Sequence, residues 1–187
     1  MNPAVVPPPD QPNPFLCHLS QLPPTNFQGG YLIGANEQTF PILSGQSGAV
    51  YLLQLDTGGV REPHWHPTAW EANYVISGQA QWSVLSTHPE NQYLNCQFDV
   101  GPGDLVFIPA GYFHYFQNAS SSEPLLLLIA FNSSLPEPDD DIGIVGSVSA
   151  IPDAVLDLVF KVPAGTFAQI PKNFDPVVIT QGPPPTQ

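Results

Sequence analysis

Short apolar runs separated by turn-forming residues make up the middle of the chain. Within these runs, apolar residues either alternate with polar ones or follow one another without a break, and Gly, Pro, Asn and Asp lie between the runs. Strand-length runs that recur about every ten residues predict an all-β sandwich or barrel rather than alternating strands and helices. The predicted strands are residues 48–55, 71–77, 80–86, 104–109, 112–118 and 125–131.

The apolar spacing becomes helical after Ile151. Residues 152–160 (PDAVLDLVF) begin with a proline suited to a first helical turn, and residues 163–171 (PAGTFAQIP) predict a second short helix. The chain shows no internal repeat, so we expect one barrel with a short helical C-terminal extension. Its proline-rich ends, residues 1–14 and 181–187, are predicted to be flexible.

The chain is strongly acidic. Lys and Arg number 3 against 16 Asp and Glu, which gives a formal net charge of -13. This balance argues against nucleic acid and anionic membranes as partners. The longest apolar run, Leu125 to Phe131, is far shorter than the roughly 20 residues that a membrane-spanning helix needs.

The N-terminal residues have neither the basic region nor the apolar core of a secretory signal. Two locations therefore stay open: cytoplasmic if Met1 is the native start, and secreted if a signal was removed. Cys17 and Cys96 are compatible with one disulfide or with two buried thiols, so they do not decide between these locations.

Two histidines one residue apart, His64 and His66, are the first candidates for chemistry. On a strand they face the same side, and Glu71, at the start of the next predicted strand, can approach the same point. His114 lies on a third strand, after a Pro-Ala-Gly turn. This mixed set of nitrogen and oxygen donors suits an octahedral divalent ion with two positions left open, unlike a closed tetrahedral zinc site. A lone H-x-H pair is usually an accident of a strand, but the combined spacing favours a metal site.

The two segments that contain these residues resemble the cupin signature. Residues 58–78 read G-x5-H-x-H-x4-E-x6-G, and residues 103–118 read G-x5-P-x-G-x2-H-x3-N. The resemblance implies a double-stranded β-helix, the jelly-roll barrel of the cupins. It also implies a metal held by His64, His66, Glu71 and His114.

Within the cupins, the segment GGVREPHWHPTAWEANYVISGQA is similar to oxalate decarboxylases, and so is the tail that begins at Phe131. Decarboxylases of this kind usually carry two cupin domains, whereas germin-type oxalate oxidases carry one, as we expect here. The resemblance implies a barrel in residues 15–135. A lid-like acidic loop and the C-terminal helices would then occupy residues 136–180.

Arg61, the only arginine of the chain, lies three residues before His64. The equivalent arginine of the family binds substrate, so the resemblance implies that Arg61 binds the far carboxylate of a small dicarboxylate, which its planar fork matches. Because Arg61 lies three positions before His64, an odd offset that places the two on opposite faces of a regular strand, a bulge or twist must turn it inward. The alternative is a surface arginine paired with Glu62.

The acidic run PEPDDD, residues 136–141, falls where the decarboxylases carry a mobile lid with a proton-donating acid. The family's glutamate aligns with Pro138, which leaves Glu137 and Asp139 on either side as candidate catalytic acids. Glu137 is the first choice because its side chain is longer. A solvated loop is the alternative.

The resemblance implies a manganese enzyme, with iron or another divalent transition metal as the alternative, that acts on oxalate together with dioxygen. Protonation of the one-carbon fragment would give formate, the outcome of a lyase. Without that acid, the products would be carbon dioxide and hydrogen peroxide, as for an oxalate oxidase. An iron dioxygenase acting on another small acid and a non-catalytic germin-like or spherulin-like metal-binding cupin stay open. Because cupins with exposed barrel faces commonly pair, we also expect a homo-oligomer.

Overall fold

A computed structural model of the protein describes residues 13–86 and 92–183. His88 and most of the two proline-rich ends lie outside these residues. The described strands are β1 (Thr25–Phe27), β2 (Gly30–Ala35), β3 (Ala49–Leu55), β4 (Gly59–Trp65), β5 (Glu71–Ser77), β6 (Ala80–Ser86), β7 (Leu94–Val100), β8 (Leu105–Ile108), β9 (Phe113–Asn118), β10 (Leu125–Phe131), β11 (Ile142–Gly143) and β12 (Ile179–Gln181). The described α-helices are α1 (Ile144–Ala150) and α2 (Asp153–Phe160).

The strands form two antiparallel sheets around a shared hydrophobic core. Sheet A has the order β1-β2-β3-β10-β5-β8, and sheet B has the order β11-β4-β9-β6-β7, with β12 also paired to β4. Alternate residues of β3 are buried, because successive side chains of a strand point to opposite faces. Leu53 and Leu127 of sheet A and Trp82 and Phe116 of sheet B meet in this core. The all-β fold that the apolar spacing predicts is confirmed.

All six predicted strands form, and their observed ends lie within one residue of the predicted ends. The apolar pattern does not predict β7, because every residue of that strand except the last is exposed and no buried stripe results. It does not predict β2 either, a short strand that begins with a glycine and is interrupted by Gly34. The strands β1, β11 and β12 carry too few residues to show a period.

The helical extension differs in part from its prediction. The helix predicted over residues 152–160 is confirmed by α2. Residues 163–171 form only a short 3₁₀ turn, Phe167–Gln169, so the predicted second helix was wrong in type and length. α1 was not predicted, because its sequence IVGSVSA contains glycine and serines of low helix propensity. Among the described residues, no helix combines the length and the apolarity that crossing a membrane requires.

The segment after residue 135 is joined to the barrel wall itself. Both β11 and β12 pair with β4. The buried carboxylate of Glu62 accepts hydrogen bonds from the N–H groups of Val145, in the first turn of α1, and Val178, just before β12. Gly143 lies against the same carboxylate, where a Cβ atom would stand 2.3 Å from Oε1. Glu62 therefore fixes the extension to the strand that carries the candidate site.

Asn118, the last residue of the second cupin-like segment, closes the far end of the barrel. Its buried amide nitrogen contacts the backbone carbonyls of Leu55, Asp56 and Glu123. Its amide oxygen accepts a hydrogen bond from the N–H of Ser120 at 2.8 Å. These bonds tie the end of β9 to the turns that follow β3 and precede β10.

Cys17 and Cys96 are free thiols. Cys17 is half-buried and Cys96 is exposed on β7, so they form neither a disulfide nor a buried thiol pair. His18, near the N-terminus, is exposed.

Candidate metal centre

The four predicted metal ligands meet at one point inside the barrel. His64 lies near the end of β4 and pairs across sheet B with His114 on β9. Glu71 is the first residue of β5, and His66 follows the last residue of β4. One potential ligand atom from each of the four lies within 4.8 Å of the others. None of the four residues is more than 3% exposed.

Each histidine ring of this cluster is held by a hydrogen bond to a backbone carbonyl. The Nδ1 atoms of His64 and His114 lie 2.7 and 2.9 Å from the carbonyl oxygen of the residue two positions earlier. Nδ1 of His66 lies 2.8 Å from the carbonyl oxygen of Asp140. Because a carbonyl oxygen only accepts, each Nδ1 carries the proton and donates it. Each Nε2 then presents a lone pair, which is the tautomer of a histidine that binds a metal.

Glu71 brings a negative charge to these lone pairs. Its Oε2 lies 2.9 Å from Nε2 of His114 and 3.3 Å from Nε2 of His66. With both Nδ1 atoms protonated, neutral rings would turn their lone pairs toward the carboxylate and repel it. A cation between them, either a proton or a metal ion, removes this repulsion.

The pKa shifts show the same need for a cation. Burial alone would lower the pKa of His66, but the adjacent carboxylate of Glu71 raises it to about 9. Burial alone would raise the pKa of Glu71, but His114 and His66 hold it well below its usual range. Burial, together with the charge of Arg61, lowers the pKa of His64 well below its usual value. The metal-free cluster therefore binds a proton at neutral pH where a metal ion would bind.

The donor set fits a divalent transition metal. Nε2 of His66 is buried without a hydrogen-bond partner, so its lone pair is available to bind a metal ion. Imidazole nitrogens combined with a carboxylate oxygen suit ions that accept mixed donors in octahedral geometry. Four such ligands leave two positions of an octahedron for other groups.

A bulge in β4 turns Arg61 into the barrel. Arg61 pairs with Phe116 on β9 and His64 with His114, so three steps along β4 match two along β9. The extra residue brings Arg61 and His64 to the same face, although their offset of three positions is odd. Arg61 is 1% exposed, so it is not the surface residue of the alternative interpretation.

Carboxylates surround Arg61. Its Nη2 contacts Asp141 and lies 3.3 Å from Oε1 of Glu137, and its Nη1 lies 3.5 Å from Oε1 of Glu62. Burial alone would lower the pKa of Arg61, but Asp141, Glu137 and Glu62 outweigh it and raise the pKa. Burial raises the pKa of Asp141 to about 7, although the charge of Arg61 opposes this rise.

The acidic run, residues 136–141, folds over the cluster and is called the lid below. It contains a 3₁₀ turn, Glu137–Asp140. The N–H of Glu137 donates to the hydroxyl of Tyr51 at 2.7 Å. The carboxylate of Asp140 accepts hydrogen bonds from the N–H groups of residues 68–69, in the loop after β4. The lid is therefore fastened at both of its ends.

The acids predicted as proton donors have different surroundings. Glu137 is 7% exposed and faces Arg61, whereas Asp139 is exposed. Sequence reasoning missed Asp141, which shares Arg61 with Glu137. The contact of Asp141 with Arg61 depends on how the residues that follow the 3₁₀ turn pack on the barrel wall, so no local sequence pattern points to it. The resemblance to the decarboxylases directed attention to the positions around Pro138 instead.

Comparison with known proteins identifies the family of this barrel. Residues 18–165 match the cupin family. Germin-like protein subfamily 2 member 1 of Arabidopsis thaliana is 30% identical over 152 residues, which cover 81% of this chain and 67% of the relative. The oxalate decarboxylase of Bacillus subtilis is 32% identical over 120 residues, which cover 64% of this chain but only 29% of that enzyme. The chain thus spans about two thirds of the first relative and less than a third of the second.

Solved structures agree with this result. Oxalate decarboxylase from Bacillus subtilis superposes with a TM-score of 0.76 at 25% identity, over 95% of this chain and 44% of that chain. Oxalate decarboxylase from Lactobacillus farciminis, solved as a formate complex, superposes with a TM-score of 0.75 at 29% identity, over 87% of this chain and 45% of that chain. These likenesses confirm the jelly-roll barrel that the two signature segments predict. Together with the match over residues 18–165, they show that this chain belongs to the cupin family.

Proposed function

We propose that this cupin is a manganese-dependent enzyme that acts on oxalate, with decarboxylation to formate and carbon dioxide as its main reaction. The observation that carries the proposal is a buried arginine beside the His/Glu cluster: Arg61 and His64 lie on one face of β4. A cation at the cluster and the guanidinium beside it offer two positive charges to a small dianion with a carboxylate at each end. Similarity to oxalate decarboxylases from two bacteria supports oxalate as that dianion.

Manganese is the proposed metal, with iron or another divalent ion as the alternative. The oxalate decarboxylase of Bacillus subtilis has Mn(II) centres. The residues that would hold the ion here are His64, His66, Glu71 and His114. When bound, manganese would hold oxalate and, with dioxygen as co-reactant, supply the one-electron redox chemistry that weakens the C–C bond.

Arg61 would bind the carboxylate of oxalate that points away from the cluster. Its planar fork matches a carboxylate, and burial strengthens the pairing because the local dielectric constant is low. Nη1 of Arg61 is buried without a hydrogen-bond partner, so a donor is available. The other side of the fork, Nη2, is held by Asp141 and Glu137, which must yield to the substrate.

Glu137 is the proposed proton donor. The oxalate dianion and one proton together give formate and carbon dioxide: the C–C bond breaks, and the carbon that becomes formate takes the proton. Oε2 of Glu137 is buried beside Arg61 without a hydrogen-bond partner, so it can serve a substrate bound there. Asp139 remains the second candidate, but its exposed side chain requires a different lid conformation to reach the site.

Oxalate oxidation is the second candidate function. If no acid delivers the proton, dioxygen takes up two electrons and two protons, and the products are two molecules of carbon dioxide and one of hydrogen peroxide. The 30% identity to a germin-like protein favours this candidate over a reaction on an unrelated substrate. The same identity supports a third candidate, a metal-binding cupin without catalysis.

Metal analysis combined with a product assay separates these candidates. The purified protein, loaded with Mn²⁺, is assayed with oxalate at about pH 4 to 5, where substrate monoanion is present and the acidic chain repels it less. Formate without peroxide supports decarboxylation, and peroxide as the main product establishes the oxidase. Neither product at full manganese occupancy refutes an oxalate enzyme and leaves the non-catalytic candidate.

We also propose that two copies of the chain associate through the outer face of sheet A. Five apolar side chains on the adjacent strands β10, β5 and β8 are between 36% and 66% exposed, namely Tyr74, Ile76, Leu105, Phe107 and Leu128. This face carries no charge in a chain of net charge -13, so a second copy can approach it with little repulsion. Sedimentation velocity should show an oligomer for the unmodified protein and a monomer for Phe107→Asp. A monomeric unmodified protein would contradict the proposal.

A further inference from the structure

The lid brings two buried carboxylates to the metal cluster. Potential ligand atoms of Glu137 and Asp141 lie within 4.8 Å of each other and of those of His64 and His66. This group shares two histidines with the four predicted ligands, but its acids come from the lid rather than from the barrel wall. The sequence motif that predicts the wall ligands contains neither acid.

Both lid carboxylates have an oxygen atom to spare. Oε2 of Glu137 and Oδ1 of Asp141 are buried without a hydrogen-bond partner, as is Nε2 of His66. The other oxygen of each carboxylate contacts Arg61. A buried carboxylate oxygen without a partner is unfavourable, because it has lost its water and gained no hydrogen bond in return. A cation bound among these atoms would satisfy all three.

We propose that Glu137 and Asp141 bind the same metal ion as the barrel ligands when the lid is closed. With His64 and His66 they form a second four-residue group, which shares these two histidines with the ligands of the barrel wall. The lid then occupies both groups that the proposed substrate needs, because the carboxylates that approach the metal also hold Arg61. This last step rests on the proposed function: oxalate must displace the lid acids, which frees Glu137 beside the substrate.

The test compares Mn²⁺ binding in the absence of any substrate. Glu137→Gln and Asp141→Asn keep the size of each side chain and remove its charge, and Asp139→Asn makes the same change of charge at an exposed position of the same lid. We expect the affinity for Mn²⁺, measured by calorimetry, to fall about tenfold or more in the first two variants and to stay unchanged in the third. Near-UV circular dichroism confirms that each variant is folded.

Water proton relaxation gives a readout that a general loss of charge would not move. If the lid acids are ligands, their removal admits water to the ion, and the relaxivity of bound Mn²⁺ should rise in Glu137→Gln and Asp141→Asn but not in Asp139→Asn. A rise in one variant alone would overturn the assignment of the other acid. Equal affinity and equal relaxivity in all three would overturn the inference.

Oxalate added without dioxygen separates this inference from the proposed function. We expect oxalate to bind Asp141→Asn more tightly than Asp139→Asn, because it no longer competes with the Asp141 carboxylate for Arg61. If oxalate binds none of the proteins while the Mn²⁺ differences persist, the substrate is wrong and the lid ligands stand. If oxalate binds and turns over but the Mn²⁺ differences are absent, the proposed function stands and the lid ligands are wrong.

Discussion

The histidines of the candidate metal centre are oriented by two different regions of the molecule. His64 and His114 donate from Nδ1 to carbonyls two residues earlier in the barrel wall. His66 donates instead to the carbonyl of Asp140 in the lid. Two ring orientations therefore depend on the sheet alone, and the third depends on where the lid lies.

This difference couples metal binding to the lid. The strands β4 and β9 each pair with neighbours on both sides, so the wall histidines move only if sheet B moves. The lid contains a single 3₁₀ turn and is held by side-chain contacts to Arg61, Tyr51 and residues 68–69 rather than by strand pairing. A segment without strand pairing opens at a smaller free energy than a paired strand. Opening the lid would also release the ring of His66, so the position of the lid and the affinity for a metal ion are coupled through that ring.

Removing a wall ligand should have the largest effect. In His114→Ala, the cluster loses a nitrogen donor and Glu71 loses its nearest partner, so we expect manganese occupancy to fall more than about tenfold. Elemental analysis of the protein after gel filtration measures this loss. His18→Ala, at an exposed histidine outside the cluster, should retain its metal. Full occupancy in His114→Ala would refute the four-ligand site.

Arg61→Lys tests whether the barrel wall binds the substrate. Lysine keeps the positive charge but loses the fork that grips a carboxylate, so kcat/KM for oxalate should fall by about tenfold or more, which corresponds to about 1.4 kcal/mol. Metal content, measured on the same sample, should stay unchanged. The exchange Lys172→Arg on the surface serves as the control. Unaltered kinetics in Arg61→Lys would remove this residue from substrate binding.

Asp140→Ala tests the lid side of the comparison. The change removes the acceptor for the N–H groups of residues 68–69 and loosens the carbonyl that orients His66. We expect the affinity for Mn²⁺ to fall by up to about tenfold, less than after loss of a ligand, because a neighbour that only orients a ligand contributes less than the ligand itself. Asp139→Ala provides the matched control. Equal Mn²⁺ affinity in both variants would mean that the lid does not orient His66.

The fold was largely predictable from the sequence because its central strands bury one face. The alternation of β3 and the continuous apolar run of β10 mark them clearly. β7 was not predicted because all but one of its side chains are exposed, and its pairing with β6 places it in the sheet. The pairing that places β7 in the sheet leaves no pattern in the residues of β7 itself.

The candidate site also has one part that the sequence predicts and another part that it does not. The spacing of His64, His66, Glu71 and His114 predicts their convergence because strands fix where side chains point. Because Arg61 lies three positions before His64, an inward-facing Arg61 requires a bulge in β4, and the structure contains that bulge. The positions of Asp140 and Asp141 could not be predicted, because they depend on how the lid packs on the loop after β4.

The last effect that we predict is a pH dependence of stability from the lid acid Asp141 in the metal-free protein. Its pKa is raised from 3.8 to about 7 in the folded state, chiefly by burial. Between these pH values the folded protein holds a proton that the unfolded chain has released. The resulting stabilisation is fully present below about pH 4 and is lost as the pH rises through 7, with a slope of at most about 1.4 kcal/mol per pH unit for one proton.

Asp141→Asn isolates this contribution, because asparagine resembles the protonated acid at every pH. Urea unfolding with a chelator present should give similar free energies of unfolding for the two proteins near pH 4. As the pH rises toward 7, the unmodified protein should become progressively less stable relative to Asp141→Asn. The comparison cancels the titration of His66 and of the other acids, which both proteins share. A constant difference across this range would show that Asp141 is ionised in the folded protein at all of these pH values, held charged by Arg61. The lid would then be fastened to the wall by an ion pair rather than by a protonated acid.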